Sequence, residues 1–456
     1  MEGSKRADTG GSDRFSASHA PGVYYEYFFE TKVQPAFRTG IPVFVGFASR
    51  RGHTTGDALK SYHLNRWPQF QHFQPDPQSY LAYAVRGFFE NGGEHCVVVP
   101  VESPQGDKAE ALINLFERHS LGPHDGKQRG VLDDLDDIDL ICVPDAMLPD
   151  IRSSQKVIEV QSAILEHCQR MGDRFAILDG FSPYEQNKSG PAKVKSDIRS
   201  AVSHWQDLPP EHGALYYPWI SVKELSSESE PPLSDEKMPC DEYRRISGLG
   251  NSGGRLLKAQ PARLVPPCGH IAGIYSRSDA RIGVHKAPAN EVMEDVLKLE
   301  VDFTDDELAE LNNSGVNCLR AARGGGIRVW GARALSGQPQ WAYVNVRRLF
   351  LTLTRWIRKN MDDVVYETNN ADLWDRVRRP LAAYCRNLFD QGALKGNSPE
   401  QAFYVKCDSE TNTREHWEAG ELVAEVGLAP TVPTEFIVVR ITQNASTTTV
   451  SGLNLL

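Results

Sequence analysis

The stretch LICVPDAMLPDIRSSQKVIEVQSAILEHCQRMGDRFAIL, residues 140–178, contains two apolar runs separated by a periodic segment. The runs, 140–143 and 175–178, are apolar throughout, which is typical of strands buried on both faces. Between them apolar residues recur at the spacing of one helix face, namely Val157, Val160, Ile164, Leu165 and Cys168. The stretch therefore predicts a strand, a one-faced helix and a second strand.

The same alternation of apolar runs and helical stretches extends over residues 41–223. Further runs at 43–45, 96–99 and 216–220 predict strands of a parallel or mixed sheet that helices cover on both faces. Residues 224–260 then interrupt the pattern with Ser, Glu, Pro and Gly, and this composition predicts an exposed loop or insertion.

The C-terminal part of the chain has a different organisation. WAYVNV, residues 341–346, predicts a strand, and the apolar periodicity after it predicts a helix to about residue 360. Residues 373–394 predict a second helix, and strands follow at 402–408, 420–427 and 435–442. The expected fold class is therefore α/β followed by an α+β domain.

Composition and charge argue against several classes of protein. The 456 residues carry a formal net charge of −10, whereas general nucleic-acid binders normally have a basic surplus. No apolar run reaches the roughly 18 residues of a membrane span, and residues 1–20 lack the apolar region of a secretory signal. The eight cysteines are scattered, so we expect a cytosolic protein whose thiols lie in the core.

Both ends of the chain contain strand signals. PGVYYEYFFE, residues 21–30, follows a polar, Gly- and Ser-rich arm, and residues 435–442 lead into a polar, β-branched tail, 443–456. An open strand edge templates pairing with other chains, so proteins usually suppress one. The tail is therefore either disordered or a segment whose role is to pair.

One glycine-rich loop and two carboxylates match motifs of enzymes. SGLGNSGG, residues 247–254, satisfies both G-x-G-x-x-G and G-x-S-x-G, but no buried strand precedes it, which predicts a flexible loop. Asp145 and Asp179 follow apolar strands, where α/β enzymes hold catalytic carboxylates. Neither can be paired with a nucleophile or base, so helix capping or a turn is the expected role. No catalytic residue is assigned, and an α/β hydrolase or a nucleotide-binding enzyme stays the alternative.

Ligand sites have no support in the sequence. The 13 histidines are scattered without the spacing of a metal site, and no glycine motif has the context that a cofactor requires. We therefore expect no metal and no cofactor.

Basic residues concentrate in two predicted helices of this acidic protein. The group comprises Arg347, Arg348, Arg355, Arg358, Lys359, Arg376, Arg378 and Arg379. Solvated helix faces explain such a group, and so does a positive surface that docks an acidic partner.

Several segments resemble the contractile tail sheath family of phage tails, tailocins and extracellular contractile injection systems. VPPCGHIAGIYSRSDARIGVHKAPAN, residues 265–290, is similar to the signature of that family. The other similar segments, in the family's order, are 21–28, 39–48, 315–320, 326–336, 341–350, 392–408 and 427–441. Residues 100–260 match only in their rhythm of strands and helices.

The resemblance implies a structural role. Sheath subunits stack as hexameric rings around an inner tube, form a helical lattice, and contract to drive the tube through a target envelope. Their middle domain is described as subtilisin-like, and their terminal arms add strands to the sheets of neighbouring subunits. The implied partners are copies of the chain itself, the inner tube protein, and baseplate and terminal cap proteins, without nucleic acid or membrane insertion.

For this chain the resemblance implies an N-terminal arm (1–30), a subtilisin-like α/β middle domain (31–265), a C-terminal sheath domain (266–441) and a C-terminal arm (442–456). The residues expected in inter-subunit arm strands are Val23, Tyr25, Tyr27, Phe436, Val438, Ile441 and Val450. The residues expected to face the tube are Arg347, Arg348, Arg376, Arg378 and Arg379. We expect assembly in a bacterial cytoplasm, into a phage tail or a released phage-tail-like particle.

Overall fold

The structure is a computed structural model. It describes residues 37–50, 59–117, 130–151, 153–181, 191–210, 212–225, 262–322, 325–361, 364, 367–431, 437–444 and 447–453. The elements below belong to one compact unit, Arg38–Leu456. The predicted N-terminal arm and residues 226–260 of the predicted insertion lie outside the described residues.

Thirteen of the described strands precede the C-terminal sheet. They are β1 (Pro42–Arg50), β2 (Tyr62–Leu64), β3 (Phe73–Pro75), β4 (Cys96–Val101), β5 (Leu140–Cys142), β6 (Phe175–Asp179), β7 (Gly213–Tyr217), β8 (Ile220–Lys223), β9 (Ala262–Val265), β10 (Val292–Met293), β11 (Lys298–Leu299), β12 (Asn317–Ala321) and β13 (Ile327–Trp330). The C-terminal sheet adds β14 (Phe403–Lys406), β15 (Leu422–Leu428), β16 (Ile437–Asn444) and β17 (Thr447–Leu453).

Ten of the described strands form one large mixed sheet. Its order is β10, β13, β12, β7, β6, β5, β1, β4 and β2, and β3 pairs with β1. The strands from β4 through β1, β5, β6 and β7 to β12 are parallel, and the outer strands are antiparallel. β11, β8 and β9 form a small second sheet.

The α-helices of the described ranges follow in chain order. They are α1 (Leu81–Glu90), α2 (Lys108–Glu117), α3 (Ser154–Met171), α4 (Pro191–Asp207), α5 (Cys268–Arg281), α6 (Asp305–Asn313), α7 (Val344–Asn360), α8 (Ala371–Asp390), α9 (Pro399–Ala402) and α10 (Arg414–Glu418). Short 3-10 helices span Trp67–His72, Pro144–Met147, Pro149–Ile151 and Pro339–Trp341. Within these ranges, no helix is both long enough and apolar enough to cross a membrane.

The strand–helix–strand unit predicted at 140–178 is confirmed. β5 and β6 pair in parallel, and every residue of both strands is buried. α3 begins after Ser153, whose side chain accepts a hydrogen bond from the backbone N–H of Lys156 at 3.2 Å. It ends at Gly172, whose φ of 66° is a conformation that glycine adopts without strain. The helix buries the predicted apolar face against β6.

The prediction of a strand at 341–346 is wrong. This segment is a 3-10 turn, Pro339–Trp341, followed by the start of α7 at Val344. Aromatic and β-branched residues favour strands only weakly, and packing overrides that preference. The apolar residues continue at helical spacing through Leu349, Leu353 and Ile357, all of which are buried.

The large sheet also runs past residue 265, because β10, β12 and β13 extend it to Trp330.

The segment 268–281, which carries the family-like signature, forms a helix in close contact with α1. A methyl group placed on Gly269 would lie 2.2 Å from the carbonyl oxygen of Ala84. One placed on Gly273 would lie 2.4 Å from the carbonyl oxygen of Phe88. The two glycines, four residues apart, lie on one face of α5 and let the helix backbones meet. This contact explains the glycine spacing of the signature.

We predict that Gly273→Ala destabilises the protein. Alanine in place of glycine favours a helix by about 1 kcal/mol. The added methyl group would meet a backbone oxygen at 2.4 Å, which places the cost in the upper part of the roughly 1–3 kcal/mol that overpacking carries. The net effect is therefore expected to be a loss of roughly 1–2 kcal/mol of unfolding free energy. Denaturant unfolding measures it, with Gly106→Ala as the control, since no atom of the described residues lies within 4 Å of a methyl group there. An unfolding midpoint for Gly273→Ala equal to that of wild type would contradict the prediction, because it would mean that α1 and α5 accommodate the methyl group without loss of stability.

Candidate functional site

The C-terminal sheet contains the strands that the sequence predicts for subunit pairing. β14, β15, β16 and β17 lie side by side and are antiparallel. Val438 and Ile441 lie on β16, and Ile441 is directly opposite Val450 of β17. In this single chain, the segment predicted as a C-terminal arm thus pairs with its own subunit. The other predicted arm residues lie outside the described part of the chain: Phe436, Val23, Tyr25 and Tyr27.

β17 is one edge of this sheet and β14 is the other. In the described ranges, no further strand pairs with the outer side of β17. An edge strand presents backbone N–H and C=O groups that favour pairing with another chain. The adjoining part of the sheet is firmly packed, because α8 contacts β14 and β15 and six of the seven residues of β15 are buried. The sheet therefore combines a fixed base with an open edge.

Arg348 lies inside the subunit, so its prediction as a tube-facing residue is wrong. Its side chain is 2% exposed. The guanidinium donates two hydrogen bonds to Asp279, from Nη1 at 2.9 Å and from Nη2 at 2.5 Å. Nη2 also lies 3.1 Å from Oδ2 of Asp139, and the Tyr275 ring lies below the guanidinium at 4.8 Å. The residue is the centre of a buried charge network.

This network joins separate parts of the fold. Asp279 lies on α5, and Asp139 immediately precedes β5. Asp139 also accepts hydrogen bonds from the backbone N–H groups of Gly40 at 2.9 Å and Ile41 at 2.6 Å, just before β1. Arg348 on α7 therefore connects the start of the C-terminal region to α5 and to the start of two central strands.

The electrostatics of the network keep Arg348 charged. Burial opposes its charged form, but the carboxylates of Asp279 and Asp139 raise the pKa of the guanidinium above its usual value. Removing charges from water costs several kcal/mol per ion, and their attraction and hydrogen bonds offset that cost. The network therefore adds little net stability, but the loss of Arg348 leaves two buried carboxyl groups without their counterion.

Arg347 has a different environment, because successive helix residues point about 100° apart. It is partly buried, with Nη2 at 2.9 Å from Nε2 of His212. Its guanidinium also lies over the ring of Trp341 at 4.6 Å. Arg347 thus packs against the subunit through His212 and Trp341.

The three arginines predicted on α8 are accessible. The side chains of Arg376, Arg378 and Arg379 are 51%, 48% and 76% exposed. Arg376 pairs with Glu367, and the other two pair with Asp375. Ion pairs at such exposure contribute about 0–1 kcal/mol, so a partner can replace them at little cost. The exposed basic strip that they form extends around the solvent-facing side of α8, because Arg376 and Arg378 point about 160° apart around the helix axis.

Asp145 lies at the carboxyl end of β5, beside β1, where the order of the parallel strands changes direction. Doubly wound enzymes bind ligands at such a point. Here the buried carboxylate accepts hydrogen bonds from the N–H of Phe47 (2.6 Å), the hydroxyl of Ser79 (2.7 Å) and the N–H of Tyr80 (2.6 Å). Since Tyr80 directly precedes α1, the predicted capping role of Asp145 is confirmed.

Asp179 has the equivalent role at α5. Its Oδ1 accepts a hydrogen bond at 2.8 Å from the N–H of Cys268, the first residue of that helix. Burial raises the pKa of Asp179 to about 7 and that of Asp145 to about 6, since the loss of water outweighs the hydrogen bonds. The predicted capping role of Asp179 is also confirmed. The loop 247–254 lies outside the described residues.

We predict that Arg348→Met strongly destabilises the subunit. Two carboxyl groups would lose their buried cation, and breaking a buried ion pair in this way costs about 3–5 kcal/mol. The matched control is Arg378→Met on the exposed strip, for which about 0–1 kcal/mol is expected. Denaturant unfolding of the two purified variants makes the comparison. Equal losses would mean that the buried network contributes no more than a surface pair.

Asp179→Asn should change how stability depends on pH. A carboxyl group whose pKa rises from 3.8 to about 7 on folding binds its proton more tightly in the folded state. It therefore favours folding most below its unfolded pKa, and this contribution is lost as the pH rises towards 7. Asparagine keeps the acceptor for Cys268 but does not ionise. From about pH 5 to about pH 8, the variant should gain on the order of 2 kcal/mol relative to wild type.

Unfolding measured at both pH values tests this expectation. A free-energy difference between variant and wild type that stays constant with pH would contradict it.

The comparisons with known proteins all identify the same family. The profile of the phage tail sheath protein central domain matches residues 136–335, and that of the phage tail sheath C-terminal domain matches residues 336–444. The chain is 27% identical over 172 residues to the tail sheath protein of Salmonella phage ViI, and 26% identical over 182 residues to a putative prophage major tail sheath protein of Pseudomonas aeruginosa. These alignments cover 37% and 38% of this chain but only 26% and 45% of the relatives, so the chain aligns with less than half of each.

A solved structure matches over a much greater length. The helical sheath of the anti-feeding prophage in its contracted state is 26% identical, with a TM-score of 0.62. That match covers 92% of this chain and 98% of the other. The two profiles and this structure agree over both the large sheet and the C-terminal region, and the chain belongs to the contractile tail sheath protein family.

Proposed function

We propose that the chain is the structural subunit of a contractile sheath. It polymerises as stacked hexameric rings around an inner tube and contracts to drive the tube through a target envelope. The observation that carries the proposal is the match to the contracted sheath of the anti-feeding prophage, which extends over nearly the whole of both chains. The open edge of the C-terminal sheet supports it, since polymerisation needs a surface that accepts another copy.

The partners that we infer are other copies of the chain, the inner tube protein, and baseplate and terminal cap proteins. Assembly takes place in the bacterial cytoplasm, into a phage tail or a released phage-tail-like particle. The subtilisin-like middle domain and the division into 31–265 and 266–441 stay predictions.

We also infer that the protein is not an enzyme. The two carboxylates that the alternative requires, Asp145 and Asp179, serve as caps for α1 and α5. Their capping supports a structural use of the strand ends where an α/β enzyme binds its ligands.

Strand exchange is the form of assembly that the C-terminal sheet favours. β17 pairs with β16 along its whole length, from Asn444 opposite Thr447 to Val438 opposite Leu453. A neighbour's β17 placed at the same position would make the same backbone hydrogen bonds, as in domain swapping. Because each bond contributes about 1 kcal/mol net in either arrangement, exchange loses no pairing energy. The lattice is then favoured by additional burial between subunit bodies, and β17 is the joint that holds them.

The exposed strip on α8 stays the candidate for the tube-facing surface. Arg376, Arg378 and Arg379 carry positive charge in a chain whose net charge is −10. An acidic tube surface would replace Asp375 and Glu367 as their partners, and charge complementarity would set the register. Arg347 is a weaker candidate because it packs on Trp341.

A disulfide between β16 and β17 tests strand exchange. Thr442 and Thr449 are directly opposite each other. Opposed residues of an antiparallel pair lie about 4.5–5.5 Å apart at Cα, within the range that a disulfide spans. In Thr442→Cys/Thr449→Cys, oxidation would lock β17 to its own subunit. We expect the oxidised variant to stay unassembled with the inner tube protein in negative-stain electron microscopy, and the reduced variant to form sheath.

The same variant in its reduced form is the matched control, and wild type under oxidising conditions controls for the native thiols. Normal sheath from the oxidised variant would overturn strand exchange while leaving the sheath function intact. If wild type formed no tubular assembly with its tube protein, the proposed function itself would be wrong.

A further inference from the structure

Two histidines and an aspartate meet at one end of the large sheet. Nδ1 of His63 lies 3.2 Å from Nε2 of His95. Oδ2 of Asp137 lies 3.6 Å from that His63 nitrogen and 3.8 Å from that His95 nitrogen. One atom of each residue therefore points at a common centre. The three residues are far apart in sequence, and no motif in the sequence predicts the cluster.

Three different elements supply these side chains. His63 is the middle residue of β2, the edge strand of the large sheet. His95 directly precedes β4, the strand that pairs with β2, and Asp137 lies in the loop that leads into β5. The side chains are 48%, 18% and 45% exposed, so solvent reaches the cluster.

A fourth residue fixes the orientation of one imidazole. Nδ1 of His95 lies 2.6 Å from Oδ1 of Asn65, a carbonyl oxygen that only accepts hydrogen bonds. The tautomer that fits this contact has its proton on Nδ1 and the lone pair of Nε2 towards the common centre. Metal-ligating histidines are generally held in this way, by an oxygen that accepts from the second ring nitrogen.

We propose that His63, His95 and Asp137 form a binding site for a divalent transition metal ion, with Zn²⁺ as the best fit. A tetrahedral site with bonds of about 2.1 Å places neighbouring ligand atoms about 3.4 Å apart. The three separations here, 3.2, 3.6 and 3.8 Å, bracket that value without any rearrangement. Two imidazoles and one carboxylate suit Zn²⁺ and disfavour Mg²⁺ and Ca²⁺, which prefer oxygen ligands.

The bound ion would cross-link three separate segments of the subunit. Three protein ligands leave the fourth tetrahedral position for water or for a group from outside the subunit. The ion would tie the edge strand β2 and the start of β4 to the loop before β5. This site lies on the large sheet and is separate from the C-terminal sheet used for strand exchange.

Zinc titration of the full chain tests the site. After treatment with a chelator, Zn²⁺ is added to wild type and to His63→Ala/His95→Ala in a calorimeter. We expect wild type to bind one Zn²⁺ more than the double variant. Asn65→Ala should keep that stoichiometry but weaken binding about 10- to 100-fold, because it frees the His95 ring. Thermal unfolding should show Zn²⁺ stabilising wild type, with reversal by chelator.

His72→Ala is the matched control, since His72 is an exposed histidine in the neighbouring 3-10 helix and is not part of the cluster. It should bind Zn²⁺ as wild type does. Coincident thermal unfolding of wild type and the double variant in chelator would show that both are folded. Equal Zn²⁺ stoichiometry and affinity in wild type and the double variant would overturn the proposal, and so would the absence of binding to wild type.

Discussion

One buried cation, Arg348, connects the two regions that the family profiles distinguish. It lies in the C-terminal profile, while its partners Asp139 and Asp279 lie in the central one. Charged groups in an interior are stable only when their partners have good geometry and the remaining polar atoms are hydrogen-bonded. The network therefore fixes how α7 sits on α5 and on the central strands. In the proposed sheath, a subunit would transmit force between its neighbours and would need this rigid connection between its regions, because a soft connection would absorb the motion.

Two other buried carboxylates, Asp145 and Asp179, also connect separate elements of the fold. Asp179 is the last residue of β6, Asp145 lies just after β5, and each holds the start of a helix that packs on the sheet. In an enzyme of this architecture, those positions are open to a ligand. Here the loss of water raises the pKa of both groups, and at least one backbone N–H group donates to each carboxylate. A perturbed pKa at a strand end is therefore a sign of packing in this protein, and not of catalysis.

The C-terminal sheet contrasts with this rigid body. Its base is held by α8, while β17 is joined only through one strand-strand interface in the described structure. A strand that pairs equally well with its own subunit or a neighbour allows assembly without a large gain or loss in hydrogen bonding. In the proposed sheath, contraction would change the burial between subunit bodies while the strand joints are retained.

The sequence by itself determined the elements whose signals are local. The apolar runs at 43–45, 96–99, 140–143 and 175–178 lie in strands of the large sheet, and α3 has the predicted buried face, because one-dimensional periodicity records which side of an element is covered. It also predicted a capping or turn role for Asp145 and Asp179, but not the helices that they contact, since α1 precedes β5 along the chain and α5 is not the helix that follows β6.

Only the tertiary structure decided the remaining features. The segment at 341–346 has strand propensity but packs as a turn and a helix, because burial of α7 outweighs a weak preference. Arg348 and Arg378 look alike in sequence, yet one is buried and the other exposed, since helix register against a distant sheet is a three-dimensional property. His63, His95 and Asp137 converge for the same reason: strand pairing brings residues together that no spacing along the chain connects.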